Sequence, residues 1–382
     1  MTRSSTKQKQ TRWLITGGCG FIGTRLVKRL VSQEGHFIRI VDNLSVGTRE
    51  DLAKICNFTE KNSSLFTSPR EIHANEEQSG FHRGPDSSLL TPDSSLNSSV
   101  ELIVADILDA DLALKATKDI DLIIHLAANT GVAPSVEDPR HDMETNVIGT
   151  LNYLEAARVN NVGTFIFASS GAPIGECEPP LHEEIAPHPV SPYGASKLAG
   201  EAYCSAYYRT FGINTVTLRF GNVYGPGASH KNSIVAKFIK QAKNGEICEI
   251  YGDGTQTRDF IYIDDLINAI IKAANPPSLS NDSSLLTPNS SLLTPNSIWG
   301  EIFQIATSKE HTINEVAQLL KNELQNQCNI DMKIKYGQPR AGDVKRNFSD
   351  TSKALKKLEW RAEEELSEGI RKTIEWFLKA DS

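Results

Sequence analysis

The chain has 382 residues, with 40 Lys and Arg against 47 Asp and Glu, a formal net charge of −7. That length holds two domains, or one large domain with a smaller lobe. The mildly acidic balance argues against nucleic acid as a partner, and no run of about 18 apolar residues is present that would span a membrane. The six cysteines, at 19, 56, 177, 204, 248 and 328, include no C-x-x-C pair. This argues against a zinc site or disulfide framework and fits a reducing, cytoplasmic setting.

Residues 1–12 are polar and basic, with no apolar core of a secretory leader, and run into a predicted strand, Trp13–Thr16. Gly17-Gly18-Cys19-Gly20-Phe21-Ile22-Gly23 follows, with Gly17, Gly20 and Gly23 at G-x-x-G-x-x-G spacing. Phe21 and Ile22 open an amphipathic helix predicted over 21–32. Glycines there allow a tight turn, close approach of backbone to a pyrophosphate, and close helix–strand packing, while the helix N-terminus offers free N–H groups and a positive dipole. The strand–turn–helix setting separates this motif from an ordinary glycine turn.

The next predicted strand, Phe37–Asp42, ends on a carboxylate nineteen residues past Gly23. Asp42 can accept hydrogen bonds from adenosine ribose hydroxyls and would repel a 2′-phosphate, which favours NAD over NADP; Arg49 nearby leaves NADP open. Residues 59–98 are polar and rich in Ser, Asn and Pro, as are 276–297. Both contain a seven-residue unit, first seen as Ser87-Ser88-Leu89-Leu90-Thr91-Pro92-Asp93 and repeated over 283–289 and 290–296. A proline in every unit forbids a continuous helix, so both stretches read as surface-loop insertions.

The strand predicted over Leu102–Asp106 places Asp106 either against the adenine or as a helix cap. Further strands are predicted over Leu122–Leu126, Thr164–Ser169 and Thr215–Phe220, with helices over Asp142–Asn160 and Pro192–Phe211. Near-continuous apolar strands alternating with helices predict an α/β fold, a Rossmann-type doubly wound parallel sheet. His125, among apolar neighbours, reads as a packed residue near the cofactor. His73, His82, His182, His188 and His230 fall in predicted loops without ligand geometry, so no metal is proposed.

Tyr193 and Lys197 stand at i and i+4, on one face of a predicted helix. A phenol near pKa 10 is a poor base at neutral pH, and a fixed ammonium beside it is expected to lower that value. Ser170, just after the strand Thr164–Ser169, falls at the carboxyl edge of the sheet, where ligands bind. Its hydroxyl is placed to hold a reacting sugar oxygen.

At these residues the chain resembles the extended short-chain dehydrogenase/reductases, specifically the NAD-dependent nucleotide-sugar epimerases and dehydratases. The resemblance rests on Thr16–Gly23, Asp42-Asn43-Leu44-Ser45, His125-Leu126-Ala127-Ala128, Thr145–Thr150, Ser169-Ser170, Ser191–Lys197, Leu218–Gly227, Tyr251–Asp265, Arg340-Ala341-Gly342-Asp343 and Leu358-Glu359-Trp360. It implies Ser170, Tyr193 and Lys197 as the catalytic set, Lys197 also holding the nicotinamide ribose. It implies cofactor contacts from Gly17, Gly20, Phe21, Ile22, Gly23, Asp42, Asn43, Asp106, Ile107 and Ala127, and sugar-nucleotide contacts from Ser170, Asn222, Arg258, Arg340 and Asp343. For the two arginines the chemistry agrees, since a guanidinium matches a diphosphate in charge and fork geometry.

The same resemblance implies an NAD-binding unit over 11–222 and a smaller C-terminal α/β substrate lobe drawn mainly from 223–382, with Phe260–Leu266 returning to the large unit. It also implies a homodimer through the helices over Asp142–Asn160 and Pro192–Phe211. Relatives that dehydrate or decarboxylate carry acidic residues just after the catalytic Ser/Thr; this chain has Gly171 and Ala172. It also has Pro173-Ile174-Gly175 where the family usually shows Val-Tyr-Gly, and Asn347 where UDP-hexose epimerases limit space at the sugar C2 substituent. The expectation is epimerisation of a UDP-sugar at C4, on UDP-glucose/galactose or an N-acetyl or uronate relative. The alternatives are a nucleotide-sugar dehydratase or reductase, and a non-catalytic NAD(H)-binding sensor or scaffold.

Overall fold

The computed structural model of the protein describes residues 10–33, 35–62, 81–82, 99–276, 297–339 and 344–379. Strand β1 (Thr11–Thr16), helix α1 (Phe21–Val31) and strand β2 (His36–Asp42) form the first βαβ unit. Helix α2 (Arg49–Ala53) precedes β3 (Phe58–Lys61) and β4 (Phe81–His82), followed by β5 (Ser99–Val104), α3 (Ala110–Ala116) and β6 (Leu122–His125). Helices α4 (Val132–Glu137) and α5 (Pro139–Met143) lead through a π-helical turn, Glu144–Ile148, into α6 (Gly149–Val159); β7 (Thr164–Ser170), α7 (Pro192–Phe211) and β8 (Asn214–Phe220) follow. Beyond them come β9 (Asn222–Tyr224), α8 (Ile234–Lys243), β10 (Cys248–Tyr251), β11 (Thr257–Arg258), β12 (Phe260–Tyr262), α9 (Ile263–Ala274) and β13 (Glu301–Ile305). The last elements are β14 (His311–Thr312), α10 (Ile313–Cys328), β15 (Ile334–Gly337), α11 (Ser352–Leu358) and α12 (Leu366–Lys379).

Nine strands make one sheet in the order β13-β8-β7-β6-β1-β2-β5-β3-β4. Every pair is parallel except β3 with β4. Alternate residues of the strands face opposite sides. Trp13, Ile15, Ile38, Ile40 and Ile124 join one core, and Leu14, Phe37, Val41, Ile103 and Ile123 join the other. Covering both faces is what makes the apolar runs near-continuous. The chain order reverses at β1, which lies between β6 and β2, so the carboxyl ends of β1 and β6 open a crevice at the switch point.

Two expectations change. The polar stretch predicted to begin at residue 59 starts later, because Thr59–Lys61 pairs in parallel with Glu101–Ile103 and Phe58–Thr59 pairs with Phe81–His82. Composition hid this: β3 lies one strand in from the edge of the sheet and pairs with β4 over only two residues, so it tolerates polar side chains. The repeats at 87–93, 283–289 and 290–296, and His73, lie outside the described residues. The helix predicted over Asp142–Asn160 contains a π-helical turn. Asn146 sits in that turn and turns inward to Asn129, accepting from its N–H at 2.8 Å and donating to its carbonyl at 3.0 Å. Such a turn inserts one extra residue and often marks a functional position.

Two elements from beyond residue 222 pack with the first half of the chain. Strand β13 adds to the main sheet beside β8, and α9 packs on α1, where Arg25 forms a bidentate pair with Asp264 at 2.5 Å. The C-terminal helices contribute Phe238, Leu320, Leu324, Ile370, Ile374 and Phe377 to the same apolar core as α1. Among the described residues no helix is long and apolar enough to cross a membrane.

Candidate functional site

At the cofactor end the geometry is made of backbone. Gly17 has φ +71°, and a Cβ there would lie 2.8 Å from the Ala127 nitrogen. A Cβ on Gly23 would lie 2.3 Å from the Gly17 carbonyl oxygen. Glycine is thus required at 17 for turn shape and at 23 for close packing. No side chain caps α1 at Gly20, so its first-turn N–H groups remain available to an anion.

Asp42, at the end of β2, accepts from the Cys19 N–H at 2.9 Å and the Leu44 N–H at 2.8 Å. Burial pushes its pKa up, opposed by these two N–H groups. Asn43 donates to Asp106 at 2.9 Å, tying the ends of β2 and β5 together, while Asp106 also accepts from Leu108 N–H at 2.9 Å. Ile107 packs beneath Gly149, where a Cβ would lie 2.5 Å from its side chain. The glycine turn, uncapped helix and strand-end carboxylate form a cradle of the shape and polarity that a dinucleotide pyrophosphate and ribose need.

The other end, around Ser170, Tyr193 and Lys197, is made of side chains. Ser191 caps α7 by accepting from the Gly194 N–H at 3.1 Å, and Pro192 stands at the first turn. Tyr193 is hydrogen-bonded to Ser170, whose Oγ accepts from the Ala172 N–H at 3.2 Å. Lys197 is buried and donates to the Ala168 carbonyl at 2.9 Å, with its ammonium 4.9 Å from the centre of the Phe167 ring.

Burial reverses the expected effect on the phenol. Tyr193 is pushed up to about 12 by desolvation, which outweighs the Ser170 hydrogen bond, and Asp142 raises it further. Lys197 is brought down to about 8 by the same desolvation, against the attraction of Asp142 and Glu201. A desolvated phenolate or ammonium loses its hydration, and that loss exceeds what the neighbours return.

The two ends are joined through His125, which the sequence placed near the cofactor, and through residues to which it assigned no role. Thr16 Oγ1 lies 2.9 Å from His125 Nδ1 and accepts from the Ala127 N–H at 3.2 Å. His125 Nε2 lies 3.2 Å from Thr150 Oγ1, which donates to the Asn146 carbonyl at 2.7 Å. Asn146 Nδ2 reaches Asp142 at 2.9 Å and Ser196 at 3.1 Å, one residue before Lys197. Burial lowers His125 to about 3, so it is neutral and serves as a joint. Below Lys197, Glu201 accepts from Ser169 at 2.5 Å and pairs with Arg219 at 2.6–2.8 Å, all in the interior. Glu201 carried no role in the sequence; its place four residues past Lys197 on the same helix face is the signal that could have found it.

Asn222 and Arg258 meet around Asp259. Asn222 donates from its backbone to the Asp259 carbonyl at 2.8 Å, and Arg258 donates to the carbonyls of Thr257 and Val344 at 2.6 and 2.7 Å. The Asp259 carboxylate is buried and accepts from Thr307 N–H and Oγ1 and from the N–H groups of Ser308 and Ser349. It fixes the loop after β13 against Arg258. Arg340 and Asp343 lie outside the described residues. A Cβ on Gly171 would meet Leu181 at 3.8 Å and the Asn347 amide at 3.9 Å, in ordinary van der Waals contact. Ile174 is buried.

A parallel sheet opening at its switch point onto an uncapped glycine turn, with a carboxylate closing the second strand, defines a dinucleotide-binding protein. The chain belongs to the NAD-dependent epimerase/dehydratase family, which it matches over residues 13–283. It is 31% identical over 371 residues to the UDP-glucose 4-epimerase of Mycolicibacterium smegmatis, covering 96% of this chain and 98% of that one. Its fold is similar to the UDP-glucose 4-epimerase of Thermotoga maritima solved with UDP-glucose, with a TM-score of 0.76, 30% identity and coverage of 97% and 100%. It is also similar to the UDP-glucuronic acid 4-epimerase of Bacillus cereus in complex with UDP-glucuronic acid and NAD, with a TM-score of 0.73, 26% identity and coverage of 97% and 100%.

Proposed function

We propose that the protein epimerises a UDP-sugar at C4, acting on UDP-glucose/galactose or an N-acetyl or uronate relative. The observation that carries this reading is Gly171 beside Ser170 and Tyr193, a position where a Cβ would make only ordinary van der Waals contacts and no acidic group stands. A sugar hydroxyl can be deprotonated and reprotonated there, yet no carboxylate stands at 171 or 172 to carry a keto sugar onward by elimination or decarboxylation. The similarity to 4-epimerases over nearly the whole chain supports the same reading.

In this reading Gly17, Gly20, Phe21, Ile22 and Gly23 hold the NAD pyrophosphate, Asp42 the adenosine ribose, Asn43, Asp106, Ile107 and Ala127 the walls of the adenine and ribose sites, and Lys197 the nicotinamide ribose. When bound, NAD supplies the hydride acceptor and donor for sugar C4 and a positive charge near the phenol. Tyr193 Oη takes the C4 hydroxyl proton and returns it to the keto oxygen. Ser170 Oγ holds that sugar oxygen and the phenol in one hydrogen-bonded line. Lys197 Nζ, fixed by the Ala168 carbonyl, keeps a positive charge below the phenol. Asn222, Arg258, Arg340 and Asp343 bind the sugar nucleotide. Asn347, beside Gly171, leaves room for a C2 substituent.

The test is incubation of the purified protein with a UDP-sugar panel. Interconversion of C4 epimers without net NADH is expected; net NADH turnover or a deoxy-keto product supports a reductase or dehydratase instead, and no turnover a binding protein. The proposed homodimer, through α6 and α7, is supported by exposed Val159, Tyr203 and Phe211 on these helices; light scattering is expected to return twice the chain mass.

A further inference from the structure

The loop after β9 contains a cation that the reading above does not use. A Cβ on Gly227 would lie 3.5 Å from the Phe21 ring, so this loop rests on the first residue of α1. Three residues on, His230 Nε2 lies 2.9 Å from Asp51 of α2, the helix that follows Asp42. Between these anchors the loop closes a turn, Lys231 N–H to the Ala228 carbonyl at 3.0 Å. Lys240 pins it from behind by donating to the carbonyls of Ser229 and Lys231 at 3.0 and 2.8 Å. The loop is thus held across the mouth of the crevice between the uncapped end of α1 and the segment after β2.

Lys231 is only partly exposed, and desolvation lowers its pKa. His230 and Lys240 beside it both have oxygen partners. Among the described residues no carboxylate or carbonyl accepts from the Lys231 ammonium. A lysine of this kind ordinarily turns to water or to a carboxylate, because holding an unpaired ammonium inside a cleft is unfavourable. Its position is explained if an anion enters the cleft with the ligand.

We propose that Lys231 is a diphosphate clamp: it binds the phosphates of a dinucleotide or of a nucleoside diphosphate sugar from the side of the crevice opposite the glycine turn. The glycine turn supplies backbone N–H groups, and Lys231 supplies a full charge on a pinned loop. The inference rests on the function proposed above for which diphosphates enter, and on the loop geometry alone for where the charge stands.

The experiment uses the full chain as wild type, Lys231→Gln and Lys231→Arg, titrated with UDP by calorimetry and with NADH by fluorescence. Lys231→Gln is expected to weaken one of the two ligands about tenfold, the scale of one charge-assisted hydrogen bond, with Lys231→Arg recovering most of it. Loss for NADH alone assigns the clamp to the dinucleotide, and loss for UDP alone assigns it to the sugar nucleotide. An unchanged melting temperature shows that the loop variant folds; if Lys231→Gln unfolds, Lys231→Met is read in its place. Wild-type binding with Lys231→Gln within twofold for both ligands overturns the clamp. Wild-type protein that binds neither UDP nor NADH overturns the proposed function, and the clamp with it.

Discussion

Around residues 17–23 the chain offers its ligand bare backbone, whereas along α7 it offers ionisable side chains held out of water. The glycine turn needs no titratable group: its shape comes from Gly17 at φ +71° and from Gly23 seated on the Gly17 carbonyl. The α7 side places Lys197, Glu201 and Arg219 in the interior, with Tyr193 between them and the cleft. A backbone site keeps its chemistry at any pH. A buried side-chain site has chemistry that depends on every neighbouring charge, and this is where desolvation sets Tyr193 near 12 and Lys197 near 8.

The contrast is broken most directly at Tyr193. Tyr193→Phe is expected to lower turnover about 10²–10⁴-fold, the usual contribution of a general acid–base group, while NADH binding at the backbone end stays within twofold. Retained turnover sinks the assignment of Tyr193. Glu201→Ala leaves Arg219 charged and unpaired in the interior, at a cost of roughly 3–5 kcal/mol in urea unfolding. A change below about 1 kcal/mol, the value of a surface pair, would show that water reaches the pair.

At the other end, Gly17→Ala forces a side chain into a left-handed conformation and against Ala127, costing about 1–3 kcal/mol and weakening NADH binding. Its kinetic pH profile is expected to keep the wild-type shape, since no titratable group is touched; a shifted profile would join the two ends electrostatically.

The smallest effect is a pH slope. Lys197 has a folded pKa near 8, below its unfolded value of 10.5. Between those values the unfolded chain binds the extra proton, so stability rises with pH across this window. The rise is at most about 1.36 kcal/mol per pH unit for one group. Lys197→Met removes that slope, and the difference between wild type and variant in urea unfolding from pH 8 to 10 measures it. Equal slopes would show that Lys197 is hydrated.

The cofactor end was legible because backbone constraints leave a residue-type signature. Gly17, Gly20 and Gly23 at fixed spacing after a strand admit few other structures, and Asp42 falls where β2 must end. Ser170, Tyr193 and Lys197 were legible as a set because i, i+4 spacing and a strand end place them together. The strand Phe58–Lys61 was not, since a short polar strand near the margin of the sheet carries no periodic apolar signal. The π-helical turn at 144–148 was not either, because it depends on Asn146 finding the backbone of Asn129, seventeen residues away. Asp259 carried no role in the sequence; its part is visible only when the N–H groups of Thr307, Ser308 and Ser349 converge on it.

The linear sequence by itself determined the parallel doubly wound sheet, the glycine turn with its strand-end carboxylate, and which side chains stand beside Tyr193 on α7. These follow from local periodicity and from residue types that the backbone requires. Only the tertiary structure decided the protonation of Tyr193 and Lys197, the neutral His125 that joins the two ends, and the addition of β13 to the main sheet. Those depend on how much water and which distant charges surround each group, and burial is a property of the packed chain that no local stretch encodes.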